Sequence, residues 1–385
     1  GVGMAEEVSV CETHKKLQRS LSQAAVLPQS RLPIVSIGLG GIVNDAHYPA
    51  YKIAGFQVVG AFDSNQERAL EMQKKFSIPT LYSSVEDLVA RAPTNAIIDM
   101  AVPGEAILGL LSQLPDGRAV LIQKPLGEDL ETSRAIRDLC RTKNLTAAVN
   151  FQMRYVPHII ALRDMVDRGI LGDVFDMEVR MQINTPWHLW SWLADKPRME
   201  ILYHSIHYID LCRSFFGNPK SVYAKSLPHP QHPGIKGGAR STVIMDYGDS
   251  PRVNIMTNHS HAYGPELEQS YVKVEGEKGA VFIQVGLNMD YPRGAGDTFR
   301  YCLLDGVDGS SERRVAAHAG LQWKELQVKG SWFPEAFIGT MASLMRKVAG
   351  ETDVLPTSVE DAHQTMAVVE AAYASSVAGG TPIPE

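Results

Sequence analysis

The chain has 385 residues, of which 44% are apolar and 21% charged; this is the composition of a folded globular protein and excludes a disordered one. The length exceeds what one hydrophobic core usually supports, so we predict at least two domains. The net charge of −6 is spread along the chain without the basic run that a nucleic-acid partner requires. The sequence also lacks a run of about 18 apolar residues, the length that a membrane-spanning helix needs.

Residues 1–30 are predicted to form an extension that precedes the folded domains. Gly1-Val2-Gly3-Met4 has the composition of a tag remnant before a native start, and the polar residues that follow lack the apolar core of a secretory signal. The cysteines share no short spacing, so we expect neither a zinc cluster nor a disulfide framework. We therefore expect a reducing, cytoplasmic location. The four cysteines are Cys11, Cys140, Cys212 and Cys302.

Residues 31–150 alternate short apolar runs with segments of helical spacing. Continuous apolar strands that alternate with helices indicate a parallel sheet covered on both faces, and we predict a doubly wound Rossmann domain. The predicted strands are Ile34–Ile37, Val58–Phe62, Ala96–Val102, Ala119–Ile122 and Thr146–Val149. The predicted helices are Asn65–Phe76, Val85–Ala90, Glu105–Leu111 and Leu130–Lys143.

Residues 151–385 are predicted to form an α+β domain for substrate binding and oligomerisation. Strands of alternating hydrophobicity, separated by Gly, Pro and Asp turns, favour a large, mostly antiparallel open sheet. The predicted strands are Val174–Gln182, Ser221–Ser226, Thr242–Tyr247, Arg252–Thr257, Tyr271–Glu275 and Ala280–Val285. The predicted helices are Pro157–Arg168, Glu335–Lys347 and Val359–Ala374.

A glycine-rich turn follows the first strand and opens a helix. Its sequence is Gly38-Leu39-Gly40-Gly41-Ile42-Val43, in which the glycines allow a tight turn and the close approach of backbone amides to a pyrophosphate. Asp63 ends the second strand, where a carboxylate accepts hydrogen bonds from an adenosine ribose and repels a 2′-phosphate. We therefore predict NAD as cofactor; the small Ser64 beside Asp63 leaves NADP open.

Several short motifs occur in a characteristic order along the chain. Gln123-Lys124-Pro125 follows the fifth strand, and Val102-Pro103 follows an earlier one. The others are His47-Tyr48-Pro49-Ala50, Asn150-Phe151-Gln152-Met153-Arg154-Tyr155 and His207-Tyr208-Ile209-Asp210. Together these motifs resemble the Gfo/Idh/MocA family, the glucose–fructose oxidoreductase and inositol dehydrogenase group.

The resemblance implies an NAD(P)-dependent oxidoreductase that acts on a hydroxyl carbon of a sugar, polyol or sugar derivative. It places Lys124 and His207 beside the reacting carbon, and Val102, Pro103, Gln123 and Lys124 beside the cofactor. Because hydride leaves the carbon only as the hydroxyl proton departs, a base must lie within hydrogen-bond reach of that oxygen. The resemblance also implies a homodimer or homotetramer.

Tyr203 occupies the position where the family has an aspartate, four residues before His207. On a helix these two residues share a face, so we expect Tyr203 to join Lys124 and His207 as a catalytic residue, with His204 nearby as a substrate contact. Which group acts as the base stays open, and so does a structural role of His207 bonded to Asp210. Two further functions stay open: a redox-assisted NAD-dependent glycosidase or lyase, and a non-catalytic nucleotide-binding regulator.

A cluster of tryptophans precedes the His207 segment. Trp187, Trp190 and Trp192 lie within six residues, and an indole face can stack on a sugar ring. We predict that these tryptophans and Arg154 bind substrate, with core packing as the alternative for the tryptophans. Glu200, His204 and His207 have helical spacing, but no fourth ligand is evident, and we expect no metal.

Overall fold

The computed structural model describes residue 4 and residues 13–304 and 321–385. The tag remnant predicted at Gly1–Gly3 and the thiol of Cys11 lie outside the described residues. Residues 13–20 form a helix, and the side chains of Leu17 and Leu21 are buried in the main core. Part of the predicted N-terminal extension therefore packs against the folded body.

The first half of the chain forms the predicted parallel sheet. Its strand order is β3-β2-β1-β4-β5-β6, and every neighbouring pair runs parallel. The strands are β1 (Ile34–Ile37), β2 (Val58–Phe62), β3 (Thr80–Leu81), β4 (Ile97–Met100), β5 (Ala119–Ile122) and β6 (Thr146–Val149). The prediction of a doubly wound domain is confirmed. The strand β3 was not predicted, because a strand of two half-buried residues is too short to show a hydrophobic pattern.

Helices connect these strands, and side chains fix where three of them begin. Asn65, Ser84 and Asp129 each accept a hydrogen bond from the backbone amide three residues later, which caps the helix that follows. The α-helices of this half are Tyr48–Ala54, Gln66–Phe76, Val85–Arg91, Ile107–Ser112 and Leu130–Thr142. A π-helical turn, Val43–His47, precedes the first of them, and a 3-10 turn, Gly104–Ala106, precedes the fourth.

The second half contains the predicted open sheet. Its order is β14-β13-β12-β11-β7-β10-β9-β8, and among these neighbours only the pair β7 and β10 runs parallel. The strands are β7 (Val174–Gln182), β8 (Ser221–Leu227), β9 (Arg240–Asp246), β10 (Arg252–Asn258), β11 (Gln269–Gly276), β12 (Gly279–Gln284), β13 (Thr298–Leu303) and β14 (Lys324–Leu326). Buried residues alternate with more exposed ones along most of these strands, so one face packs on the core.

The last helices return to the Rossmann half. Met341, Leu344 and Met345 are buried in the same core cluster as Ile34 and Leu39. The α-helices of the second half are Pro157–Asp167, Ser191–Ala194, Ile206–Phe216, Ala336–Val348 and Val359–Ala378. Short 3-10 or π-helical turns are Gln152–Tyr155, Trp187–Trp190, Ile201–Ser205 and Pro265–Leu267. None of the helices described is long and apolar enough to cross a bilayer.

Candidate functional site

The glycine turn after β1 presents an open backbone surface. A side chain on Gly38, whose φ is +95°, would place its Cβ 2.2 Å from the carbonyl oxygen of Ala101, so only glycine fits there. A Cβ on Gly40 or Gly41 would meet no atom within 4 Å, and no side chain caps the helical turn that follows. These residues fit a pyrophosphate, which needs free amides and close approach at a helix start.

Asp63 is held at the carboxyl end of β2 beside this turn. Its two carboxylate oxygens accept hydrogen bonds from the backbone amides of Leu39 and Asn65, each at 2.8 Å. Each oxygen has a further lone pair with which to accept a ribose hydroxyl. Ser64 is exposed beside it, and the site therefore fits the adenosine ribose of NAD.

Replacing Asp63 with serine is expected to raise the KM for NAD+ by about 10- to 100-fold, because hydrogen bonds to a charged acceptor are lost. The KM for NADP+ should fall, because the charge that repels a 2′-phosphate is removed. Steady-state kinetics with both cofactors measures the two changes. Asp116→Ser, at an exposed carboxylate before β5, is the control and should change neither; an unchanged cofactor preference in Asp63→Ser would contradict the assignment.

Lys124 lies at the carboxyl end of β5, on the same edge of the sheet as the glycine turn. Its Nζ donates a hydrogen bond to the backbone oxygen of Tyr203 at 2.5 Å, and burial lowers its pKa to about 8. The neighbouring Gln123 has a buried Oε1 without a partner among the described residues. Val102, which precedes Pro103, lies 3.3 Å from the position of a Cβ on Gly38. The residues predicted to contact the cofactor thus meet at one edge of the sheet.

His207 approaches Lys124 from the second half of the chain. Its Nδ1 is buried and has no partner among the residues described, and its ring packs edge-on against Trp332 at 5.3 Å. Burial lowers the pKa of His207 well below its usual value, and the charge of Lys124 lowers it further. A neutral imidazole therefore lies near the Lys124 amine. The alternative bond to Asp210 is absent, since that carboxylate binds Arg154 and Thr365.

Tyr203 contributes its backbone, rather than its phenol, to the surroundings of Lys124. The phenol donates a hydrogen bond to Glu128, which also accepts one from Lys196 at 2.7 Å. Burial and the Glu128 contact raise the pKa of Tyr203. The structure thus directs the Tyr203 hydroxyl towards Glu128 and Lys196, a pair that sequence spacing did not indicate.

His204 packs against a second buried histidine. The rings of His204 and His259 lie 4.4 Å apart. The Nε2 of His259 bonds to the Glu200 carboxylate at 2.5 Å, and its Nδ1 bonds to the Thr185 hydroxyl at 3.1 Å. Sequence reasoning missed this chain, because its members are far apart in sequence. No group of three or more His, Cys, Asp or Glu side chains is placed to hold a metal in the part of the chain described.

The three tryptophans occupy different environments. Trp187 is half-buried, with its ring 5.9 Å from that of His259, and it lines a cleft of about 590 Å³. Trp190 and Trp192 are exposed, with 37% and 52% of their surfaces accessible, and Trp192 packs edge-on against Tyr203. Core packing therefore does not account for Trp190 and Trp192, whereas Trp187 packs against the core and is the one of the three that lines the cleft.

Arg154, predicted to bind substrate, lies instead in a buried ion pair. Its guanidinium donates two hydrogen bonds to Asp210, at 2.7 and 2.8 Å, and one to Asp361 at 2.7 Å. A fourth goes to the backbone oxygen of Pro356 at 3.0 Å. Because four of its five N–H groups are engaged within the fold, Arg154 links three distant segments and we propose a structural role for it; the substrate-binding role stays a prediction.

Two family models match the chain. One, described as an oxidoreductase family with an NAD-binding Rossmann fold, matches residues 32–151. The other, described as the GFO/IDH/MocA C-terminal domain, matches residues 159–282. Together they cover more than half of the chain; the first range contains Lys124 and the second contains His207.

Individual proteins are similar at lower identity. A D-apiose dehydrogenase of Rhizobium rhizogenes is 22% identical over 88% of this chain and 93% of its own length. A 1,5-anhydro-D-fructose reductase of Ensifer adhaerens is 24% identical over 60% of this chain and 72% of its own. The crystal structure of an Agrobacterium radiobacter oxidoreductase, in complex with NAD+, L-tartaric acid and magnesium, superimposes with a TM-score of 0.72 at 19% identity, covering 90% of this chain and 97% of that one.

Proposed function

Because the chain belongs to the Gfo/Idh/MocA family of NAD-binding oxidoreductases, we propose that it transfers hydride between NAD and a hydroxyl carbon of a sugar, polyol or sugar derivative. The sugar dehydrogenase and reductase among its relatives support this substrate class. The observation that carries the proposal is the hydrogen bond from the Lys124 amine to the backbone oxygen of Tyr203, four residues before the buried His207, at the carboxyl edge of the parallel sheet. Ligands of open α/β sheets bind at this edge.

Lys124 has the properties of the general base. A substrate hydroxyl loses its proton as hydride leaves the carbon, and an amine whose pKa is about 8 is partly unprotonated near neutral pH. The Tyr203 carbonyl oxygen holds Nζ in place. A transferred proton leaves Lys124 as an ammonium, which can return it to the oxygen in the reverse direction.

His207 orients the same hydroxyl. Its imidazole is neutral, because burial lowers its pKa, and a neutral imidazole has one nitrogen that donates and one that accepts a hydrogen bond. Gly40, Gly41 and Asp63 would hold the cofactor, which when bound supplies the hydride acceptor. The buried setting excludes water and strengthens these polar contacts.

The proposal is tested by incubating the purified protein with NAD+ and a panel of neutral sugars and polyols and recording NADH absorbance. We expect NADH to form, with kcat rising between about pH 7 and 9 as Lys124 loses its proton. The sign follows from the base role, since only the unprotonated amine accepts a proton and its pKa is about 8. Because His207 is already neutral, we expect no second change in the pH profile of kcat near the usual pKa of a histidine.

Two outcomes would contradict the proposal. A kcat that does not change across the pKa of Lys124 would remove that residue as the base. Consumption of a glycoside without any net change in NADH would instead indicate redox-assisted glycosidase or lyase chemistry.

We further propose that the chain assembles as a homodimer or homotetramer through the outer face of its second sheet. Tyr223, Ile244 and Met256 are 59%, 43% and 47% exposed on neighbouring strands of that face. Exposed apolar patches of this kind commonly mark contacts between subunits. The cytoplasmic location stays a prediction.

A further inference from the structure

A cleft of about 590 Å³ opens where the parallel strands β7 and β10 both end. Its volume is in the range of pockets that enclose small ligands. It is built from the segment that follows β7 and from three later loops. Among its lining residues are Asn184, Thr185, Trp187, Glu268, Asp290 and Tyr291.

The cleft is close to the proposed reaction site. The ring of Trp187 lies 5.9 Å from that of His259, which lies 4.4 Å from that of His204. The ring of Trp187 is therefore at most about 10 Å from that of His204. His204 directly follows Tyr203, whose backbone oxygen accepts the hydrogen bond from Lys124. Two linked sugar rings have a comparable length, so one molecule can reach both places.

The lining has the chemistry of a site for neutral polyhydroxyl ligands. The indole of Trp187 and the phenol of Tyr291 offer aromatic faces, and the side chains of Asn184, Glu268 and Asp290 offer acceptors for hydroxyl groups. None of the described residues that line the cleft is a lysine or arginine. The Asp290 carboxylate is paired with Arg293, so the Glu268 carboxylate is the group in this lining that disfavours the anionic part of a phosphorylated sugar or a nucleotide sugar.

Hydrogen bonds hold the walls of the cleft together. The Glu268 carboxylate accepts one from the backbone amide of Asn184 at 3.3 Å and one from that of Asp290 at 3.2 Å. The Thr185 hydroxyl bonds to His259. The lining is thus shaped before a ligand arrives, which reduces the entropic cost of binding.

We propose that this cleft binds the second ring of a substrate made of two linked, uncharged sugar units, while the first ring lies between Lys124 and His207. The inference rests on the proposed function, and it narrows the substrate to a disaccharide or a comparable glycoside. Trp187 is then a specificity-determining residue that stacks on the second ring.

The test is isothermal titration calorimetry on the full chain saturated with NADH, using cellobiose, maltose, lactose and xylobiose and their component monosaccharides. We expect at least one disaccharide to bind about tenfold or more tightly than its monosaccharides. Trp187→Ala should weaken that disaccharide by about tenfold, as removal of an aromatic anchor does, and leave the monosaccharides almost unchanged. Trp323→Ala is the matched control. It removes an indole that is 47% exposed, lies just before the strand Lys324–Leu326 and is not part of the cleft lining.

The inference is overturned if no disaccharide binds more tightly than its component sugars, or if Trp187→Ala weakens both kinds of ligand equally. If Trp187→Ala does not fold, Tyr291→Ala decides in the same way, because its side chain is 45% exposed. NADH formation from NAD+ with either the disaccharides or the monosaccharides tests the proposed function separately. Turnover without a disaccharide preference defeats only this inference, and a disaccharide preference without NADH formation defeats only the proposed function.

Discussion

Replacing Lys124 with methionine is expected to lower kcat by about 10²- to 10⁴-fold, the range typical of losing a general base. The Kd for NADH should change little, because Lys124 is one of many predicted cofactor contacts and the groups proposed to hold the pyrophosphate and the ribose, at Gly40, Gly41 and Asp63, are unchanged. Steady-state kinetics and NADH fluorescence titration measure the two quantities. Lys124→Arg should be equally inactive, since a guanidinium keeps the positive charge but does not release its proton near neutral pH.

Measuring the free energy of unfolding of Lys124→Met separates a loss of catalysis from a loss of folding. Burial lowers the pKa of Lys124 to about 8 in the folded chain, below that of an unfolded lysine. The unfolded state therefore binds more protons between these two values, and the lysine costs stability at pH 7 that is recovered as pH rises through this window. Lys124→Met should thus be at least as stable as the wild type at pH 7. Retained turnover in this variant would remove Lys124 from the mechanism.

Replacing Arg154 with methionine is expected to lower the free energy of unfolding by about 3–5 kcal/mol, because a buried carboxylate loses its partner. Asp210 is fully buried, and its remaining side-chain hydrogen bond, from Thr365, does not neutralise its charge. Urea denaturation measures the loss. Adding Asp210→Asn should restore part of it, since the uncompensated charge is then removed.

Arg141→Met is the matched control for that experiment. Arg141 binds Glu360 with both partners about half exposed, and a pair of this kind contributes about 0–1 kcal/mol. If Arg154→Met kept its stability and instead lost affinity for substrate, the substrate-binding role first predicted for Arg154 would be right.

The positions of the glycine turn and of Lys124 could be predicted from sequence because they depend on local patterns. The strands β1, β2, β5, β6 and β7 have the predicted boundaries, since buried parallel strands are continuous apolar runs and half-buried ones alternate. A parallel sheet then places the residues after its strands along one edge. Lys124 and Asp63 follow from that rule.

The partners of each side chain were decided by tertiary contacts between distant segments. Arg154 and Tyr203 have side chains suited to substrate contacts, but Asp210 and Asp361 engage the first, and Glu128 the second. These acids lie between 56 and 207 residues away in sequence. By itself the sequence determined the two sheets and the sheet edge that carries the candidate site. The reason is that the alternation of buried and exposed residues depends on neighbouring positions in the chain. Only the folded chain decided which polar groups face a ligand and which neutralise one another, because a buried charge takes whichever partner the packing brings to it.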